Sequence, residues 1–356
     1  MTDVKKKIRV LVVDDSSMMR HLLKDMLATD PGIEIAGVAV DPYDAREKLV
    51  ALRPDVMTLD IEMPKMDGVT FLEKVMKHLP TRTVIISSLT PDGSELALRA
   101  LAMGAIDVIA KPKLDLTKGM AEIAASVASR VRAAATARLL PALSASPAPA
   151  SFTPLETSQK VIAAAASTGG TEALKVFLQG MPKQAPGILI VQHMPPMFTR
   201  AYAHTLKELT GLDVREAKEG DRVMAGTVLL APGDFHMELV RNGAFYAVHL
   251  HQRPLMHGLR PSADLLFRSV AKNAGTNAVG VILTGMGFDG AAGLLEMKQA
   301  GSPTFAQDEQ TCTVFGMPKE AIRLGAAEKV LPLQELAAAV IDTFREGRAS
   351  SEPKAA

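Results

Sequence analysis

Residues 8–28 read IRVLVVDDSSMMRHLLKDMLA: six strand-like positions, a pair of aspartates, then a helix-period run beginning at Met18. An apolar run of strand length that ends in acid and turns at once into an amphipathic helix is the repeating half of a parallel sheet, whose strands are buried on both faces and joined by crossover helices. The pattern recurs outward from there. Ile33–Val38, Asp55–Leu59, Arg82–Ser87 and Ile106–Ile109 are further strand candidates, and Tyr43–Leu52, Asp67–His78 and Ser94–Met103 have helical spacing. Lys118–Leu140 is an amphipathic run that closes this part of the chain. Five strand–helix repeats predict a doubly wound α/β domain.

The stretch Pro141–Gln159 is dense in Pro, Ser and Ala, lacks either period, and is expected to be an extended linker. Beyond it the α/β rhythm resumes. Lys160–Ala166, Gly187–Gln192, Val228–Leu230 and Val279–Leu283 read as strands, and Thr171–Gln179, Ala291–Ala300 and Leu333–Arg345 as helices. Met237–Leu250 reads as a hairpin turned at Asn242-Gly243, and Pro261–Lys272 as a helix with Pro in its first turn. The expected organisation is a first domain over 1–128, a linker over 129–159, a second parallel-sheet α/β domain with a β-hairpin over 160–348, and a flexible tail over 349–356.

Composition narrows the class. The 356 residues carry 40 Lys+Arg against 39 Asp+Glu, a net charge of +1, so no basic face for nucleic acid is built into the chain. The single cysteine, Cys312, cannot form an intrachain disulfide, and no apolar run reaches the ~18 residues of a membrane span. A cytoplasmic protein, monomeric, with no membrane insertion and no nucleic-acid partner, is expected.

Asp14 and Asp15 close the first predicted strand, Asp60 the third and Ser87 the fourth, while Lys111-Pro112 follows the fifth. Ligands of open α/β sheets bind outside the carboxyl ends of the strands, so these residues converge on one rim. A lone aspartate there would serve as a helix cap. Three crowded carboxylates instead favour a hard divalent cation, which can steer a phosphoryl group onto one of them while Lys111 neutralises its charge.

The second domain carries a different set. In AAAASTGGTEAL, Ser167 follows a strand of small residues and precedes a helix, where free N–H groups can stabilise an oxyanion. His193 follows the next strand. Asp289 follows Val279–Leu283 by way of Gly285-Met286-Gly287. Each alone has a structural explanation, as a cap, a packed imidazole or a turn. Together they form a nucleophile, a base and an orienting acid on one rim, in a chain order unlike the common serine hydrolases.

The motifs VVDDSSMMR, TLDIEMPKMDG, ISSLT and AKP make residues 1 to about 125 resemble a two-component receiver domain. ASTGGTEAL, VQHMPPMFT, RPSADLLFRSVA, LTGMGFDGAAGL and AQDEQTCTVFGMPKEA make Lys160 to about Arg345 resemble the catalytic domain of the chemotaxis protein-glutamate methylesterases, the CheB family. The first resemblance implies Asp60 as phosphoacceptor, Asp14, Asp15 and Asp60 as the Mg²⁺ site, Ser87 as switch hydroxyl and Lys111 as phosphate contact. The fifth strand carries Ile106 and Val108 where the family places an aromatic switch residue. The second implies Ser167 as nucleophile, His193 as base and Asp289 as orienting acid, with Thr168 and Met286 in loops supplying oxyanion and substrate contacts, and no cofactor in the esterase site.

The implied activity is hydrolysis of glutamate methyl esters on methyl-accepting chemotaxis receptors and deamidation of specific receptor glutamines. It is controlled through a receiver phosphorylated by the histidine kinase CheA, which in its unphosphorylated form packs over the active site. Phe288 and Ala165 depart from the family pattern beside the proposed triad. A receiver-controlled DNA-binding factor would need a basic recognition helix that the sequence lacks, and an inactive receptor-docking adaptor would not need Ser167, His193 and Asp289. Of the remaining features, His249, His251 and His257 lie close in sequence without a neighbouring cysteine or carboxylate at metal spacing, and Arg260 and Asp264 are candidates for substrate contact or a surface ion pair.

Overall fold

The computed structural model describes residues 6–112, 119–139 and 159–349, the last five of them by backbone alone; residues 140–158 of the predicted linker and those after 349 lie outside, and the linker begins later than expected because 129–136 continue a helix that buries Val131, Ala133 and Ala134. The chain divides into two compact units, one ending at Pro141 and the other beginning at Ala142.

In the first unit β1 (Ile8–Val13), β2 (Ile33–Ala39), β3 (Val56–Asp60), β4 (Thr83–Ser87) and β5 (Asp107–Ala110) form a parallel sheet in the order β2-β1-β3-β4-β5. Helices α1 (Ser17–Ala28), α2 (Pro42–Leu52), α3 (Gly68–His78), α4 (Pro91–Ala102) and α5 (Met120–Thr136) join and close it. Their starts are set by side chains that take up orphan N–H groups: Ser16 accepts from Met19, Asp41 from Tyr43 and Asp44, Asp67 from Thr70 and Thr90 from Gly93. The order reverses between β1 and β3, so the rim crevice opens where Asp14 and Asp60 end their strands. Helix α4 starts at Pro91, three residues before the spacing predicts, because Thr90 caps it and proline suits the first turn.

The second unit holds a seven-stranded parallel sheet in the order β14-β13-β12-β6-β7-β9-β8 and a separate two-stranded ribbon, β10-β11. The central strands are β6 (Val161–Ala166), β7 (Gly187–Gln192) and β12 (Ala278–Ile282); β8 (Asp213–Glu216) and β9 (Thr227–Leu230) extend one side, β13 (Thr304–Gln307) and β14 (Lys329–Leu331) the other. Every residue of β6 is fully buried, which its Val-Ile-Ala composition allows between helical layers, and Ala165 is part of that interior. Helices α6 (Gly170–Gln179), α7 (Phe198–Thr210), α8 (Ala263–Asn273), α9 (Ala291–Gln299), α10 (Met317–Arg323) and α11 (Leu333–Ala349) cover the sheet. Phe267 of α8 and Phe177 of α6 are fully buried, each worth roughly 1.5–3 kcal/mol of burial.

Two expectations shift. The hairpin β10 (His236–Asn242) and β11 (Phe245–His251) pairs Asn242 with Phe245, so its two-residue turn is Gly243-Ala244, one position later than predicted; Gly243, at φ 60°, takes the left-handed position. Helix α8 begins at Ala263, not at Pro261, because Ser262 is still extended. Helix α7, strands β8, β13 and β14, and helix α10 escaped the sequence reading because the strands are only three or four residues long and the helices sit among prolines and glycines.

Candidate active site

Strands β12, β6 and β7 are neighbours, and each delivers one polar residue just past its carboxyl end. Ala166 pairs with Gln192 in the β6–β7 register, and the His193 N–H donates to the Ala166 carbonyl at 3.1 Å, which sets Ser167 and His193 side by side. On the other flank the Ser167 N–H donates to the Thr284 carbonyl at 3.0 Å, and a Cβ built on Gly285 would fall 2.8 Å from that of Ser167. From there the chain runs through Met286 and Phe288 to Asp289, whose Oδ2 lies 2.8 Å from His193 Nε2. The structure thus brings the three predicted residues onto one rim. Among the described residues, no hydrogen bond joins the Ser167 hydroxyl to His193, whose Nε2 is engaged by Asp289.

Asp289 is buried to 2 % exposure and surrounded by donors. Oδ1 accepts from Ser262 Oγ at 2.7 Å and the Asp264 N–H at 3.1 Å; Oδ2 accepts from the Ala263 N–H at 2.7 Å besides His193. Burial alone pushes the carboxyl up, but His193, Ser262 and Ala263 together hold it down at about 2. An ionised carboxylate only accepts, so Nε2 of His193 carries the proton and Nδ1 is left as the basic nitrogen.

Asp264 belongs to this arrangement and is neither a substrate contact nor a surface ion-pair partner. It is 1 % exposed, with Oδ1 accepting from the N–H groups of Gly290 and Gly293 and Oδ2 lying 2.9 Å from His257 Nε2. It therefore fixes the turn that carries Asp289. Ligand atoms of His257, Asp264 and Asp289 lie within 4.8 Å of one another, but both carboxylates are already spent on N–H and O–H donors, unlike an open cation site.

The turn at Ser167 depends on its two glycines and on polar groups the sequence reading passed over. Gly169 has φ +77° and abuts the Thr313 side chain, and a Cβ on Gly170 would fall 2.2 Å from Gln192 Oε1, so both positions require glycine. Gln192 donates to the Ser167 carbonyl at 2.9 Å. The buried Thr284 hydroxyl lies 3.0 Å from the Thr168 carbonyl and accepts from the Val314 N–H at 2.9 Å, while Gln307 accepts from the Thr284 N–H at 2.8 Å. Each is a polar residue at or just past the end of an otherwise apolar strand, the signal that could have singled it out. Thr168 itself is buried, and Met286 lies on the loop between Gly285 and Asp289.

The rim of the first unit differs. Asp14 and Asp60 are fully buried, Asp15 is exposed, and their oxygens approach within 4.8 Å. Lys111 Nζ lies 2.7 Å from Asp60 Oδ2, and the Glu62 N–H donates to Oδ1 at 3.1 Å. Burial raises the Asp60 carboxyl against the lowering by Lys111. Asp14 is raised to about 6 by burial and by Asp60; only Oδ1 has a donor, the Ser16 N–H, and buried Oδ2 has none. A buried carboxylate oxygen without a donor, beside two further carboxylates, fits a hard divalent cation such as Mg²⁺. Ser87 is fully buried, and its hydroxyl donates to the Gly93 carbonyl at 2.9 Å; Ser88 instead reaches the acidic edge, donating to Glu62 at 2.9 Å. Ile106 and Val108 are both buried.

Away from the rims, His249 and His251 sit on β11 with spatial carboxylate neighbours, Glu219 and Glu238, that sequence proximity does not reveal, whereas His257 lies against Asp264. Arg260 is paired with Asp234 at 2.6 Å, and Cys312 is buried. No described helix is long and apolar enough to cross a membrane.

Comparison with known proteins follows the same division. Residues 162–340 match the CheB methylesterase family, and residues 10–123 match the response regulator receiver domain. The chain is 55% identical over 339 residues to a protein-glutamate methylesterase/protein-glutamine glutaminase of Bdellovibrio bacteriovorus, covering 93% of this chain and 96% of that one. It is 52% identical to a protein-glutamate methylesterase/protein-glutamine glutaminase 2 of Pseudomonas aeruginosa, with 94% and 96% covered. The crystal structure of the Thermotoga maritima CheB methylesterase catalytic domain aligns at 37% identity and a TM-score of 0.51, covering 52% of this chain and all of that domain.

Proposed function

The chain belongs to the CheB methylesterase family, and we propose that it hydrolyses glutamate 5-methyl esters on methyl-accepting chemotaxis receptors under control of its receiver domain. The observation that carries this reading is the 2.8 Å bond from His193 to a buried, ionised Asp289, with Ser167 beside His193 on the next strand.

In the proposed reaction, Ser167 Oγ gives its proton to His193 Nδ1 and attacks the ester carbonyl carbon. Asp289 stabilises the imidazolium through Nε2–H, and the N–H groups around Thr168 and Met286 face the developing oxyanion. Collapse expels methanol, which takes the proton from His193. Water then attacks the acyl-serine, passing a proton to His193; the bond from the acyl carbon to Ser167 Oγ breaks, Oγ takes that proton back from His193, and the glutamate side chain is released as a free acid that ionises in water. With a glutamine side chain the same steps expel ammonia, which is deamidation. No cofactor enters these steps.

In the receiver domain, Asp60 accepts the phosphoryl group from the histidine kinase CheA. Asp14, Asp15 and Asp60 would hold Mg²⁺, which when bound offsets charge between phosphoryl oxygens and carboxylates. Lys111 stays close enough to contact a phosphoryl group on Asp60, and Ser87 must turn from the Gly93 carbonyl to reach it. The test is methanol release from methylated receptors by the cytoplasmic, monomeric enzyme. Ser167→Ala is expected to abolish release while Asp60 still takes up phosphate; residual release by that variant overturns the assignment.

A further inference from the structure

The loop from Gly285 to Asp289 runs from Ser167 to the triad carboxylate, and it carries an aromatic side chain that the proposed chemistry does not use. Phe288 is 54% exposed, although both its neighbours in the network, Asp289 and Asp264, are buried. Its ring is nevertheless held: it meets the His257 ring edge-on, with centroids 4.7 Å apart. His257 has its backbone in the left-handed region, at φ 54°, which is uncommon for any residue other than glycine and persists only where the surroundings hold it, and Asp264 anchors its Nε2. A strained histidine and an exposed aromatic side chain are thus combined next to the triad acid.

The opposite flank repeats the feature. Beyond His193 the chain passes Pro195-Pro196 to Met197, which is 44% exposed and also has a positive φ, 74°. The strand order β12-β6-β7 places Ser167 on the middle strand, so one exposed apolar side chain comes from the loop on either side of the nucleophile. Exposed apolar groups on both sides of a reacting serine suit a polypeptide that lies across it, rather than a small ester entering end-on.

We propose that Phe288, braced by His257, is a specificity-determining residue that receives an apolar side chain flanking the reacting glutamyl residue, with Met197 as its counterpart across Ser167. Asp264 then acts twice, fixing both the turn that carries Asp289 and the histidine that supports Phe288, so substrate grip and triad geometry share one buried carboxylate. This inference rests on the methylesterase reading above.

The experiment compares methanol release from methylated receptors with release from a blocked glutamate 5-methyl ester that has no flanking residues. It uses the full-length chain and the variants Phe288→Ala, Phe288→Leu and His257→Gln. Phe288→Ala is expected to raise KM for receptors about fivefold with kcat little altered, so that the ratio of receptor to small-ester kcat/KM falls by a similar factor. Leu restores most of the loss, and His257→Gln shows a smaller rise in KM. An unchanged receptor KM, an equal loss on both substrates, or a Leu variant no better than Ala overturns the proposal. A wild-type chain that releases no methanol at all overturns the methylesterase reading and this inference with it, whereas an active wild type with an indifferent Phe288→Ala overturns this inference alone.

Discussion

Asp14 and Asp289 occupy comparable places, each buried beyond the carboxyl end of a strand in a parallel sheet, yet their acidities diverge to about 6 and about 2. Burial raises both. The difference lies in donors: Asp289 collects four, from His193, Ser262, Ala263 and Asp264, whereas Asp14 has the Ser16 N–H on one oxygen and nothing on the other. A carboxylate whose partners are all supplied by the fold is preorganised for a single role. One left short of donors beside two more carboxylates is a site whose partner comes from outside. The two rims are therefore one whose partners the fold has completed and one that is receptive.

The largest effect is expected at the finished rim. Asp289→Asn keeps the size of the side chain but presents an amide N–H to His193 Nε2, favouring the wrong tautomer; kcat for methanol release should fall about 10³–10⁴-fold. If the variant only loses thermal stability and keeps its kcat, Asp289 is a structural acid and the contrast with Asp14 loses its catalytic meaning. The same substitution should flatten acid sensitivity. With a folded pKa near 2 against 3.8 unfolded, Asp289 contributes stability above about pH 4 that is lost as pH falls through 2, and Asn removes that dependence.

At the receptive rim, Asp60→Asn should remove all stimulation of methanol release by a small phosphodonor while release without the donor persists, measured side by side. Stimulation surviving in that variant would place the phosphoacceptor elsewhere. Thr284→Val tests the buried support of the nucleophile turn. Losing the hydroxyl removes its bonds to the Thr168 carbonyl and the Val314 N–H, for about 1–3 kcal/mol of stability and about a tenfold lower kcat. A lower melting temperature with unchanged kcat would restrict Thr284 to folding.

The smallest effect is the one most specific to the comparison. A raised carboxyl pKa means the folded state holds its proton longer than the unfolded chain, so Asp14 favours folding below about pH 4 and this contribution is lost as pH rises to about 6. Asp14→Asn in Mg²⁺-free buffer should stabilise the receiver domain at pH 7 by about 1–2 kcal/mol, below the full linkage value because rim charges are partly screened. Denaturant titration at pH 4 and pH 7 measures it. Destabilisation at pH 7 would mean that Asp14 is better satisfied than its lone donor implies.

Much of the molecule was legible in one dimension. IRVLVVDD and VIAAAASTGG announce buried strands ending at polar turns, because a strand covered on both faces is nearly continuous in apolar residues and a charged or strongly polar one is most easily admitted where the strand leaves the sheet. That rule located Asp14, Asp60, Ser167 and His193 without coordinates, and Asp289 followed from its glycine-flanked loop. Gln192, Thr284 and Gln307 obey the same rule and were passed over because their residue types suggest no chemistry; their importance lies in which carbonyl or N–H they reach.

Local choices were written into the order of residues: strand against helix, the caps, the two α/β units, and the residue types offered at each rim. These follow from short-range sterics, periodicity and burial, which are encoded within a few neighbouring positions. It took the folded chain to show that Asp264 supports the turn carrying Asp289, that Ser87 is committed to Gly93, that the His257 ring meets Phe288, and that two buried aspartates shift in opposite directions. Hydrogen bonds and desolvation act over a few ångströms, and the partners here are 6 to 96 positions apart in the chain, brought together only when the strands pair.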